Sequence, residues 1–179
     1  FVDIGYELNA FLPFSEIGNN EYISKEKIND NHNKDRNKSV KKSANIEVDL
    51  VTNQEIYVQV IKEPFAGKGP RVTTDIALPG RLLVLIPNYS YIGISKKIWD
   101  KYERRRLKKI AKKLKNENTG IIMRTVAEGK SEEHIENDYN TLIDSWKKIE
   151  KKSNQRNAPV LVYEDMETAS SVVRDLLTL

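Results

Sequence analysis

Cysteine is absent from this 179-residue chain, which excludes disulfides and thiolate metal sites. No apolar run approaches the roughly 20 residues that a membrane-spanning helix needs. Histidine occurs twice, as His32 and His134, neither with metal-ligand spacing nor with an obvious nucleophile beside it. Acidic residues are plentiful but scattered, and nothing local sets two carboxylates apart as a metal pair. The sequence therefore offers no catalytic residue and no metal ligand set. What remains is a chain long enough to bury its own core as one or two small domains. Its net charge is +4 and its sequence pI about 9.1, an excess that points toward a polyanionic partner.

Residues 1–17 hold two apolar stretches, FVDI and AFLPFSEI, joined by the hairpin-like GYELN. A strand-like segment at Phe1 leads us to expect that the chain starts inside a domain. From 18 to 45 the sequence turns to Asn, Lys, Asp and Ser with almost nothing apolar. Such a stretch buries too little to offset the entropy of ordering and reads as a flexible insert. EIYVQVIKE, 55–63, alternates Ile56, Val58 and Val60 with polar residues, the turn 65–70 follows, and RVTTDIAL returns as another strand. These make a small antiparallel unit lacking one or more strands.

A second subdomain begins near Gly80. RLLVLIP and YIGISKKI read as strands, and a basic amphipathic helix over 100–115 presents Leu107, Ile110, Ala111 and Leu114 on one face. Another helix, with Ser131 as N-cap, carries the stripe Ile135, Tyr139, Leu142, Trp146 and Ile149 to about Lys152. VLVYE, 160–164, reads as a strand, and a closing helix starts near Thr168 with Val172, Val173, Leu176 and Leu177 inward.

Between those helices lies TGIIMRTVAEGKSEEH, 119–134. Ile121, Ile122 and Met123 form a short continuous apolar run that favours an interior strand, though so short a run also suits a buried helix. Arg124 and Thr125 leave it side by side, a planar fork of donors next to a hydroxyl, and such a corner suits a phosphate. An ion pair between Arg124 and a neighbouring carboxylate is the alternative. Phe1, Phe11 and Phe14 beside Lys62, Lys68 and Arg71 form the mixture with which OB-type barrels stack bases and hold phosphates; filling a small barrel core is the competing use. The run KYERRRLKKIAKKLK could steer RNA or simply be the solvated side of its helix.

Taken together, FVDIGYELNAFLP, VQVIKEPFAGKGPRVT, LPGRLLVLIPN, ISKKI, ERRRLKK, GIIMRTVAEGK and ASSVVRDLL resemble the ribonuclease E/G family of bacterial endoribonucleases, in its Bacteroidetes-like form. The resemblance spans nearly the whole chain apart from the insert. It implies an α+β chain, with an incomplete antiparallel OB-type barrel over 1–78 followed by a small α/β 5′ sensor subdomain over 79–157. Residues 158–179 would open the next, RNase H-like subdomain. By resemblance, Arg124 and Thr125 bind the 5′ phosphate of RNA with Gly80 and Val84 lining the same pocket, and Phe1, Phe11 and Lys68 grip single-stranded RNA. Two departures stand out: the family's Arg-Arg after ISx is Lys96-Lys97 here, and Pro79 precedes Gly80.

The resemblance further implies a cytoplasmic, homo-oligomeric enzyme for RNA processing and decay, which prefers a 5′ monophosphate and hydrolyses RNA with Mg²⁺. Its magnesium-binding aspartates and cysteine zinc link have no equivalent in this sequence, so no cofactor is expected in these residues and cleavage by them alone is not expected. A standalone single-stranded RNA-binding module is the alternative, and a basic scaffold protein of a ribosome-like assembly a third.

Overall fold

The computed structural model describes residues 1–18 and 50–164. The expected insert, apart from Gly18, and the expected closing helix lie outside them. The described chain is α+β, as expected, with one two-stranded and one four-stranded sheet, two α-helices and, among the described residues, no closed barrel. It divides into two compact units, one of Phe1–Val2 with Glu7–Asp75 and one of Asp3–Tyr6 with Ile76–Leu179.

The first unit is built on strands β1 (Gln59–Lys62) and β2 (Arg71–Thr73), which pair antiparallel. Phe65 and Lys68 exchange backbone hydrogen bonds of 3.2 and 3.0 Å across Ala66 and Gly67, both at positive φ (48° and 75°). Two positive φ values define the mirror-image tight turn whose twist matches that of the flanking strands. Glycine meets that demand at 67 without strain; Ala66 does not. The alternation expected for EIYVQVIKE fails at its end, because a bulge between Val60 and Lys62 shifts the register and leaves Val60 about half exposed. FVDI and AFLPFSEI meet through a single antiparallel bridge, Val2 with Ala10, and Phe14–Glu16 forms a 3-10 turn where the sequence suggested extended chain.

The second unit has the strand order β3-β4-β6-β5, from β3 (Leu78–Pro79), β4 (Leu83–Pro87), β5 (Ile92–Ile94) and β6 (Thr119–Met123). The apolar run thus becomes an interior strand, antiparallel to β4 and parallel to β5. A parallel neighbour requires a crossover, and α1 (Lys101–Leu114) supplies it between β5 and β6. Asp100 caps α1 by accepting from Tyr102 N–H, and Ser131 caps α2 (Glu132–Asn154) by accepting from His134 N–H. The helix stripes read from the sequence are the buried ones: α1 packs on β5, α2 on β4, and Leu83, Leu85, Ile121 and Met123 are fully enclosed beneath them. Truncating any of these to alanine costs about 2–5 kcal/mol, a large share of a domain's net stability. Val84, Ile122 and Ile86 alternate onto the opposite, half-buried face. Pro79 is tolerated because β3 is an edge strand. Residues 160–164, expected as a strand, form none; they run as irregular chain beside the last turns of α2, lining an open groove of about 300 Å³ with Ser145, Lys148 and Lys152. No helix among the described residues is long and apolar enough to cross a membrane.

Candidate nucleic-acid interface

In the first unit, Phe11 is fixed by its backbone, its N–H donating to Pro70 O (2.8 Å) and its carbonyl accepting from Val72 N–H (3.0 Å). The Val2–Ala10 bridge then sets Phe1 beside it, with ring centroids 5.7 Å apart and planes inclined by 49°. Neither ring fills a core: Phe1 is 89% exposed and Phe11 47%. Phe14 and Phe65 are exposed too, and Lys68 stands on the surface at the end of the tight turn. Arg71, read as one of the cations of this surface, is instead held by Glu16 Oε1 at 3.1 Å. The first unit thus exposes a neighbouring pair of aromatic rings and, at its tight turn, a lysine, and π-faces and positive charge of this kind suit unstacked bases and their phosphates.

In the second unit, Arg124 follows β6 directly, its N–H on Leu82 O (2.8 Å) and its Nη1 donating to Gly80 O (2.6 Å). One arm of the guanidinium is thereby anchored to the loop that precedes β4. Thr125 opens the 3-10 turn Thr125–Ala127 with its side chain at the surface, and its Oγ1 lies 2.9 Å from Ser95 Oγ. The structure thus brings together Arg124, Gly80 and Thr125. Val84 sits two register pairs from Arg124, opposite Ile122 and on the sheet face that Arg124 also follows by alternation. Lys96 and Lys97 are exposed beside Ser95, and Lys97 N–H donates to Ser95 Oγ (3.3 Å).

Sequence reasoning missed what holds this corner in place. Asp138, on α2, accepts from three successive backbone N–H groups, Arg81 (3.1 Å), Leu82 (2.8 Å) and Leu83 (3.1 Å). One carboxylate therefore takes up the three successive donors of Arg81–Leu83, the kind of row that otherwise attracts an anion, while Gly80 N–H closes the loop on Leu83 O (2.8 Å). Gly80 must be glycine for this to happen, since a Cβ there would lie 2.6 Å from Asp138 Oδ2 and 2.8 Å from Leu142 Cδ1. The signal was present in the sequence: position 138 falls on the buried stripe with Ile135, Tyr139 and Leu142, and a charged residue on such a stripe needs a partner.

A second clasp fixes the connection that follows Thr125. Glu103 accepts from Arg106 Nε and Nη2 (both 2.7 Å) and from Gly129 N–H (2.9 Å), while Arg106 Nη2 also donates to Lys130 O (2.9 Å). The Arg106 fork, aided by the Gly129 amide, holds the Glu103 carboxyl down at about 2. A carboxyl depressed in the folded state stabilises the fold above its unfolded pKa and loses that contribution as the pH falls toward the folded value. Acid titration of stability should therefore show an extra loss between about pH 4.5 and 2 that is missing in Glu103→Gln. Measured by urea midpoints, the two proteins should converge at the acid end; parallel curves would show that the clasp contributes nothing.

His134 is not isolated, as the sequence suggested, since its Nδ1 lies 2.7 Å from Ser131 Oγ. The contact joins the cap and third residue of one helix, so it reads as capping rather than an activated hydroxyl.

A model of the ribonuclease E/G family matches residues 77–179. A "Ribonuclease E/G-like protein" of Pyropia yezoensis is 38% identical over 162 residues, 90% of this chain and 31% of the relative. "Ribonuclease G" of Escherichia coli K12 is 35% identical over 176 residues, 98% of this chain and 34% of the relative. "Ribonuclease G" of Haemophilus influenzae is 35% identical over 177 residues. The chain spans about a third of the length of these relatives. With a family model over more than half of its residues and the same family's names on its relatives, the chain belongs to the ribonuclease E/G family.

Proposed function

We propose that this chain is the RNA-binding and 5′-monophosphate-recognising part of a ribonuclease E/G-type endoribonuclease acting in RNA processing and decay. The observation that carries the reading is the pairing, at one strand exit, of an anchored guanidinium with a surface hydroxyl. Gly80 O takes one arm of Arg124 and orients the plane of the fork, which lowers the entropy lost when the guanidinium meets a phosphate. The Lys97 N–H on Ser95 Oγ favours Ser95 as donor to Thr125, which frees the Thr125 hydroxyl proton for the anion. Lys96 and Lys97 add positive charge beside the hydroxyl pair as point charges rather than forks. Single-stranded RNA is the substrate class that suits each surface taken by itself, a terminal phosphate at the Arg124 corner of the second unit and unstacked bases on the Phe1 and Phe11 rings of the first.

Magnesium is the metal that this reading implies for the longer enzyme. Among the described residues no group of three or more His, Cys, Asp or Glu is placed to hold a metal ion, so these residues do not fit that role and no step is assigned to them through it. Their contribution is binding and orientation of RNA.

Titration of the chain with one short single-stranded RNA, bearing either a 5′ monophosphate or a 5′ hydroxyl at fixed salt, tests the reading. Salt must be fixed because general backbone attraction varies steeply with it. The monophosphate should bind about ten-fold or more tightly, the worth of one charge-assisted fork. Equal affinity would reject 5′-end recognition.

A further inference from the structure

Trp99 and Tyr102 are 87% and 80% exposed, although tryptophan is a residue that folded proteins ordinarily bury in large part. Their backbone is locked from both sides. Ile98, only 1% exposed, anchors the segment in the core, and its N–H closes a turn on Ser95 O (3.3 Å). Arg104 Nη1 ties the same turn to α1 by donating to Ser95 O (2.7 Å) and Ile98 O (3.1 Å), and Asp100 fixes the first turn of the helix through Tyr102 N–H (2.9 Å). Two aromatic rings are thus presented to solvent from a rigid frame, which keeps low the ordering cost of contacting a ligand.

The surroundings select the ligand. Lys96, Lys97, Lys101 and Arg105, within three residues of Trp99 or Tyr102 in the chain, are exposed as well. The nearby carboxylates are engaged, Asp100 as the cap and Glu103 in the Arg106 and Gly129 clasp. Exposed π-faces among uncompensated cations fit a polyanion that carries its own flat apolar groups, and single-stranded RNA is such a polymer. The platform is also continuous with the proposed phosphate corner, because Ser95 begins the turn that carries Trp99 and touches Thr125.

We propose that Trp99 and Tyr102 form a stacking subsite for the bases that follow the 5′-terminal nucleotide, with Lys96, Lys97, Lys101 and Arg105 on the intervening phosphates. The proposal rests on the reading of Arg124 and Thr125 as the 5′-phosphate corner. It makes 5′-end recognition depend on unpaired bases near the end as well as on the phosphate.

Tryptophan emission gives a local readout. The other tryptophan, Trp146, is buried on α2, so the signal lost in Trp99→Phe reports the platform. A 5′-monophosphorylated RNA dodecamer should quench Trp99 and shield it from acrylamide, whereas an abasic oligomer of equal charge should do neither. Trp99→Ala and Tyr102→Ala should each weaken the RNA about ten-fold while leaving the abasic oligomer and the circular dichroism unchanged. Trp99 remaining open to acrylamide with RNA bound, or equal losses for both oligomers, would overturn the subsite. A retained monophosphate preference with an unshielded Trp99 rejects the subsite and leaves the reading; a shielded Trp99 with no such preference rejects the reading and leaves an aromatic RNA surface.

Discussion

Asp138→Ala should lose about 3–5 kcal/mol of stability, the largest single-residue effect expected outside the apolar core. The alanine removes the acceptor for three backbone N–H groups at once, and Leu82 and Leu83, which own two of them, are buried. The three bonds are part-buried, so water can replace the carboxylate only in part, and the cost lies between that of exchanged and of unmade bonds summed over three donors. Asp138→Asn should recover only part, since its amide keeps one acceptor oxygen but turns an NH₂ group toward a row of donors. Urea denaturation of the three proteins checks this, and a loss below about 1 kcal/mol in the alanine variant would show that the loop is held by something else. Below the unfolding range, the freed Gly80–Leu83 loop should also blur the monophosphate preference, because Gly80 O is the anchor of Arg124.

The elements of the second unit were legible because their signals are local. A 3.6-residue stripe marked both helices, Ser131 marked the start of α2, and the continuity of Ile121, Ile122 and Met123 marked an interior strand. The first unit's paired strands and the end of the second unit were less legible. Alternation at Ile56, Val58 and Val60 could not foretell a bulge, and residues 160–164 have strand composition but no partner strand among the described residues. Strand formation needs a neighbour, which composition does not contain. For the candidate site, Arg124 and Thr125 were readable as adjacent chemistry, while the exposure of Phe1 and Phe11 and the clasps of Asp138 and Glu103 join residues far apart in the chain. Asp138 alone left a trace, as a charge on an otherwise apolar stripe. Trp99 and Tyr102 were hidden by their neighbours, since a basic amphipathic helix reads first as a solvated face.

The central claim is that the Arg124 guanidinium binds the 5′ phosphate, and Arg124→Gln tests it most directly. Glutamine keeps an amide NH₂ group that can donate to Gly80 O, so the corner has a chance to stay folded, but it removes the charge and the second pair of donors. A charge-assisted fork to a phosphate is worth about 1.5–3 kcal/mol, or roughly ten- to one-hundred-fold in affinity. The measurement is the ratio of affinities for monophosphorylated and hydroxyl-ended copies of one RNA, taken at one salt concentration for the unmutated chain, Arg124→Lys and Arg124→Gln. The ratio should fall stepwise, partly in the lysine variant and close to one in the glutamine variant, while the hydroxyl-ended RNA binds all three alike. A glutamine variant that keeps the full ratio, or one that loses both RNAs equally with its fold intact, would contradict the assignment.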